Sequence, residues 1–452
     1  MEKLIRLNGE HMRNRVIEVL LLVAALSFAI PWSASAAQEE AAPSSNRGGE
    51  SNPAITAPAP PPGWLERDTL TGDWGGGRNW LKEHGITLKP RLTHFYQGLT
   101  SGDGDHGFEN GGKADLLLHS DLGKLGLWNG FSMTVHAEYN YGQSVNGRGG
   151  TLAPVNTALY LPGMEGADRF DLSSAYLGQR FGDSVSLVFG KMNMIDIAAG
   201  KPFMGGAGID SFWNITFAAP PSGTVPPYLF GALLSVRTEP ATFGLWVYDP
   251  NSVANKSGFE DPFADGVTFR GSVDFPVTIA GRSGHQGFVA LYSTKDGTDL
   301  ETLDEIFLPS PSPGTVGIKN DRYYFAYTFD QYLYQSKENP KEGFGLFGQF
   351  GISDGNPNRL YWSLLVGVGG TGLIPGRSRD NWGIGYYYDT VSNYLKESLA
   401  LSLTIRNEQG SEIFYNFAVT PWLVLGADLQ IIKPGLGTKN AVFPGLRTVI
   451  RF

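Results

Sequence analysis

From Ile86 onward, apolar and polar residues alternate with a period of two, the signature of strands with two unlike faces. Phe131, Met133, Val135, Ala137 and Tyr139 fall on one side of such a segment, and Ser132, Thr134, His136, Glu138 and Asn140 on the other. The same parity sets Val267, Phe269, Val273 and Phe275 against Thr268, Arg270, Ser272 and Asp274. It also sets Ile413, Tyr415, Phe417 and Val419 against Glu412, Asn416 and Ala418. Segments of about nine to twelve residues are long enough for a tilted strand to cross an outer-membrane hydrocarbon layer. A packed interior could not hold the charges on the polar faces unpaired, so lipid outside and water inside is the consistent assignment. Strands are expected to start near 86, 113, 130, 169, 184, 228, 241, 265, 285, 319, 342, 359, 380, 410, 422 and 443. That makes about sixteen, with eighteen as the alternative. Leu399 to Arg406 is assigned to a loop, because another strand would make the total odd.

The connections alternate in length. Gly182-Asp183, Glu239-Pro240 and Pro421 mark tight joints, whereas 142–168, 195–227, 251–264, 295–318 and 390–409 are long. Short turns on one rim and long loops on the other fit an up-and-down barrel in the outer membrane. The last segment, Phe443 to Phe452, reads as an amphipathic closing strand with Arg447 and Arg451 on one side and apolar or neutral groups on the other.

The N-terminal region divides differently. Arg13 and Arg15, the apolar stretch Val19 to Ile30 and Ala34-Ser35-Ala36 predict a secretory signal over 1–36, cleaved near Ala36. A Pro/Ala-rich tether over 37–63 follows, then a periplasmic motif and short helix over 64–85, with Gly85 stopping a helix at Arg78 to His84, and the barrel over 86–452. Composition agrees with an all-β reading: charged residues are 17%, aromatic residues 12%, and there are 60 Gly. The net charge of -9 argues against nucleic acid as a partner, and zero Cys removes disulfides and thiolate metal sites.

A barrel of this size encloses an aqueous channel. Strand parity directs Lys89, Arg91, Asp115, His119, His136, Glu138, Arg237, Arg270, Asp274, Arg322, Asp428, Arg447 and Arg451 inward. Mixed signs suit a neutral polyhydroxylated solute better than one ion, although such charges also brace a wall through cross-strand pairs. The longest connection, 195–227, carries Phe203, Phe212, Trp213, Asn214 and Phe217. Folded inward it would narrow the bore, its aromatics either contacting solute or packing on the wall. A barrel enzyme is the competing class. It would need a nucleophile, base and orienting partner, yet only seven His occur and no Gly-x-Ser-x-Gly elbow or His-Glu-x-x-His is present. No catalytic residue, cofactor or metal is expected.

Three motifs resemble the OprB-like carbohydrate-selective porins: Leu70-Thr71-Gly72-Asp73-Trp74-Gly75-Gly76, Gly190-Lys191-Met192-Asn193, and Trp382-Gly383-Ile384-Gly385-Tyr386-Tyr387-Tyr388. So does the tail from Glu412 through Trp422 and Asp428 to Phe452, and the resemblance spans about 64–452. It implies a sixteen-stranded outer-membrane channel passing glucose-like monosaccharides and similar small solutes passively, in contact with membrane lipid, as a monomer or a homotrimer. A general or ion-preferring porin is the alternative. For the implied constriction, Lys191, Asn193 and Trp213 lie in or beside a matching motif, and strand parity adds Arg91, Glu138, Arg270 and Asp274.

Overall fold

The computed structural model describes residues 63–162, 169–307, 316–340, 342–372 and 374–452. The expected signal over 1–36 and all of the tether but Gly63 lie outside the described residues. Sixteen strands form one closed antiparallel barrel: β1 Ile86–Leu99, β2 Gly107–Asp121, β3 Phe131–Gly142, β4 Phe170–Phe181, β5 Val185–Asn193, β6 Tyr228–Arg237, β7 Thr242–Tyr248, β8 Thr268–Ile279, β9 Arg282–Ser293, β10 Arg322–Gln335, β11 Gly343–Ser353, β12 Leu360–Thr371, β13 Asn381–Val391, β14 Glu408–Ala418, β15 Leu423–Lys433 and β16 Ala441–Arg451. Each pairs with its sequence neighbours, and β16 closes on β1 with Arg451 opposite Arg91 and Gly445 opposite Gln97. Among the described residues no helix is long and apolar enough to cross a membrane.

The strands follow the predicted order, and Leu399 to Arg406 lies in a connection. The largest displacement is at β2, expected near 113 but starting at Gly107. Asn110-Gly111-Gly112 looks like a turn in sequence, yet these residues continue the ladder opposite Tyr96, Phe95 and His94. The Tyr141 ring lies where a side chain at Gly112 would otherwise stand.

Face parity is as expected. Tyr139, Phe269, Ile413 and Phe417 are exposed on the outer surface, whereas His136, Glu138, Glu412 and Asn416 point inward and are buried. Aromatic pairs mark both ends of the wall: Trp128 stacks on Phe131 beside the short turns, and Trp362 on Tyr388 toward the long loops. Such girdles suit headgroup depth, where an indole or phenol has an apolar body in lipid and a polar edge in water. β16 departs from the expectation in one respect. Phe443 and Val449 share the inward face with Arg447, because other segments cover them: Phe443 clusters with Val145 and Val155, and Val449 with Phe95 and Trp213.

Two-residue to four-residue joints such as 182–184, 238–241, 280–281 and 419–422 lie on the rim from which β1 rises. The strand ends that flank the longer connections 143–169, 194–227, 249–267, 294–321 and 392–407 lie on the opposite rim. A turn at Trp74–Gly76 and the helix α1, Gly77–Glu83, precede β1, with Gly85 at φ 86° stopping the helix one residue earlier than expected.

Because Ile413 sits mid-strand on the outer face, Ile413→Arg is expected to destabilise the barrel by about 2–4 kcal/mol. Urea unfolding in lipid vesicles measures this; a midpoint equal to the parent's would contradict lipid contact there.

Candidate functional site

After β5 the chain turns inward. Asn193 starts the loop by accepting the Ile195 N–H at 3.0 Å, and residues 203–218 then lie within the barrel against the far wall. Three kinds of contact hold the loop there. Aromatic rings interlock, with Phe212 edge-on to Phe347 and Phe414, and Phe217 edge-on to Tyr387. The wall is hollowed to receive them: a Cβ at Gly383 would meet Phe212 at 2.7 Å, one at Gly385 would meet Phe217 at 2.5 Å, and one at Gly445 would meet Trp213 at 2.6 Å. Wall side chains satisfy the loop backbone. Glu412 accepts the N–H groups of Trp213 and Asn214 at 2.5 and 3.0 Å, and Arg447 donates to the carbonyls of Gly208 and Ser211 at 2.9 and 3.1 Å.

A second set of ties binds the loop to β1–β3 and to the end of β16. Asp210 pairs with Arg451 at 2.7 Å and with Arg91 at 3.4 Å, and Arg91 in turn pairs with Asp115 at 3.2 Å. His136 bridges Asp196 of the loop at 2.6 Å and Asp115 at 3.1 Å. Glu138 pairs with Lys113 and accepts from the Tyr228 hydroxyl at 2.6 Å and Asn193 Nδ2 at 3.3 Å. Asp115, His136 and Glu138 bring donor atoms within 4.8 Å of one another, close enough for a metal. Lys113 and Arg91 already neutralise those carboxylates, so the chemistry of the cluster is that of an ion-pair network.

The candidate residues therefore separate into two groups. Trp213, Glu138, Asn193 and Lys191 are 0%, 1%, 2% and 3% exposed, each engaged by other parts of the protein. Trp213 is buried between Phe95 and Arg447, and Lys191 is held by Asp171 at 2.7 Å and the Lys256 carbonyl at 2.8 Å. Arg91, Arg270 and Asp274 keep part of their surface open. Of these, Arg270 and Asp274 stand together on β8, across from the loop's anchorage, while Arg91 belongs to the anchored side.

The Arg270 guanidinium lies 3.9 Å from the ring centroid of Trp246, its register partner on β7, and donates to Ser272 Oγ at 3.0 Å. Lys201, on the loop, shares this space. It remains exposed to water inside the barrel, but the enclosing wall strips away much of its bulk solvation. That desolvation, with the Arg270 charge, lowers its pKa to about 8, against the pull of Asp274 and Asp330. Sequence reasoning missed Lys201 and Trp246. The inward parity of Trp246 opposite Arg270 could have found the latter, whereas nothing local marks Lys201.

The profile of the family described as "Carbohydrate-selective porin, OprB family" matches residues 105–452. That is shorter than the expected 64–452 and leaves out the motif around Trp74. A relative from Acinetobacter baylyi named "Putative porin QuiX" is 23% identical over 436 residues, covering 83% of this chain and 90% of its own. The structure of Pseudomonas putida OprB at high pH superposes with a TM-score of 0.73 at 20% identity, covering 86% of this chain and 99% of that one. The low-pH structure of the same protein gives 0.53 at 17% identity, with the same coverage of 86% and 99%.

Gly385→Val is compatible with a strand but places methyl groups where Phe217 sits. It is expected to displace the loop at a cost of about 1–3 kcal/mol and to raise single-channel conductance. Bilayer recording checks this, and unchanged conductance would show that the loop does not limit the bore.

Proposed function

We propose that this chain, which belongs to the OprB family of carbohydrate-selective porins, passes monosaccharide-sized polyhydroxylated solutes by passive diffusion across the outer membrane, through a passage between the inward loop and the β7–β10 wall. The family and fold indicate a channel rather than an enzyme. One observation carries the finer reading. Where the loop meets β7 and β8, the partly exposed Trp246 supplies apolar surface, Arg270 and Lys201 supply donors, and Asp274 supplies an acceptor.

A sugar has the complementary surface, with C–H groups on the faces of its ring and hydroxyls round its edge. Hydrogen bonds to charged groups are strong enough to replace those a hydroxyl loses with water, and several weak contacts allow the solute to leave as readily as it enters. Arg270 is pre-oriented by its stack on Trp246, so it loses little freedom when a solute arrives.

The test is glucose block of single-channel current in Trp246→Ala and Arg270→Ala. Loss of about 1 kcal/mol of contact predicts a roughly fivefold rise in half-blocking concentration. Block identical to the parent's would remove this pair from the passage.

The closeness of two cations, Lys201 and Arg270, favours a second reading, an anion-preferring porin. Lys201 is a cation below about pH 8 and neutral above it, so anion preference is expected to fall as pH rises through about 8. Reversal potentials in a KCl gradient between pH 6 and 10 measure this; a parallel fall in Lys201→Met would assign the effect to another group.

A further inference from the structure

The Leu70-Thr71-Gly72-Asp73-Trp74-Gly75-Gly76 motif takes no part in the wall and lies outside the family match. It is nevertheless firmly placed. The Leu70 N–H donates to the Arg451 carbonyl at 2.8 Å, Trp422 Nε1 donates to the Trp64 carbonyl at 3.0 Å, and the two tryptophan rings are 4.9 Å apart. These contacts fasten the segment to the short-turn rim beside the β1–β16 seam.

Its internal bonds orient one side chain. Asp73 accepts from both the backbone N–H and Nδ2 of Asn79 at 2.9 Å, fixing the turn to α1. Trp74 Nε1 donates to Thr71 Oγ1 at 3.0 Å, and the Arg78 guanidinium lies 4.4 Å from the Trp74 ring centroid. Trp74 takes φ 54°, a left-handed conformation that a bulky residue adopts only when its surroundings demand it, and Gly75 and Gly76 continue the turn at 67° and 98°. The indole is not spent on packing. It keeps part of its surface open, and with Arg78 it lines the lower end of a chamber of about 1110 Å³ that also reaches Arg91, His119 and Asp210 beneath the inward loop.

The chamber lies on the short-turn side of the loop, the side toward which a solute leaves. We propose that Trp74 and Arg78 form a second sugar subsite on the exit side of the channel, with the indole taking the C–H face of a monosaccharide and the guanidinium its hydroxyls. The inference rests on the sugar-channel reading above. It differs from that reading in its residues, its place in the fold and the side from which it is reached.

The experiment is single-channel recording with channels inserted in one orientation and glucose added to one side at a time. In Trp74→Ala the half-blocking concentration for glucose added on the short-turn side is expected to rise about threefold to tenfold. From the long-loop side it should change by less than about twofold, and Trp74→Phe should restore most of the difference. Arg78→Ala, which removes the Arg78–Thr71 bond at 3.3 Å but keeps the Asn79–Asp73 and Trp74–Thr71 bonds, serves if Trp74→Ala fails to assemble, with the same expected asymmetry. Parent-like block from both sides in the assembled variant would overturn this inference alone. Parent channels that glucose blocks from neither side would overturn the sugar-channel reading and this inference with it.

Discussion

A sheet in hydrocarbon cannot leave its edge N–H and C=O groups unpaired, and everything else in this molecule follows from how that requirement is met. The ladder returns upon itself, β16 against β1, so that the Cα partners run from Arg91 opposite Arg451 to Gln97 opposite Gly445. Closure fixes which residues face lipid, and the period of two then places Glu138 and Glu412 inside as surely as it places Tyr139 and Ile413 outside. Apolar contact could not hold an element inside a water-filled lumen unless the wall itself offered apolar seats. Phe347, Leu365, Tyr387 and Phe414 point inward, and Gly383 and Gly385 provide the depth between them.

The loop seated there divides the interior into unequal parts. Toward β11–β16 and β1–β3, charges are abundant but already committed. Asp210 is shared by two arginines, His136 joins two aspartates, and Arg447 is used up by carbonyls of the loop. Breaking the buried His136–Asp115 contact leaves an uncompensated charge, and the half-exposed Asp210 pairs add further ties, so together these groups hold the loop's position. Toward β7–β10 the loop meets the wall only in part, with Met194 and Val225 clustered with Tyr248, Leu291 and Tyr324, and Phe203 edge-on to Tyr332, while Trp246, Arg270 and Asp274 retain open surface. The same residue types thus do different work on the two sides, according to whether the loop has covered them.

That division explains what could be read from the sequence. Strand number, order and facing were legible because they depend on a local alternation, and even the uncertain Leu399 to Arg406 was resolved by the even count that closure requires. The extra turn of ladder in β2 was hidden by Asn110-Gly111-Gly112, whose composition signals a turn while its neighbours supply pairing. The inward loop was legible from its length and aromatics. Which lumen residues would be free was not, because exposure at Glu138 or Trp213 is decided by Tyr228, Glu412 and other groups remote in sequence. Motif position drew attention to Lys191 and Asn193, yet it marked the root of the loop, where Asp171 and Glu138 hold them, rather than its open edge.

Selectivity in such a channel is therefore a matter of what anchoring leaves over. Residues that pin the loop are largely engaged by protein, and a group engaged by protein has little to offer a passing hydroxyl. Residues that meet solute must remain partly solvated and only loosely paired; Arg270 fits that description, stacked on an aromatic ring with no carboxylate in hydrogen-bond contact among the described residues. Weak engagement of this kind suits conduction, since a group that bound its solute as tightly as Glu412 binds the loop backbone would obstruct the channel.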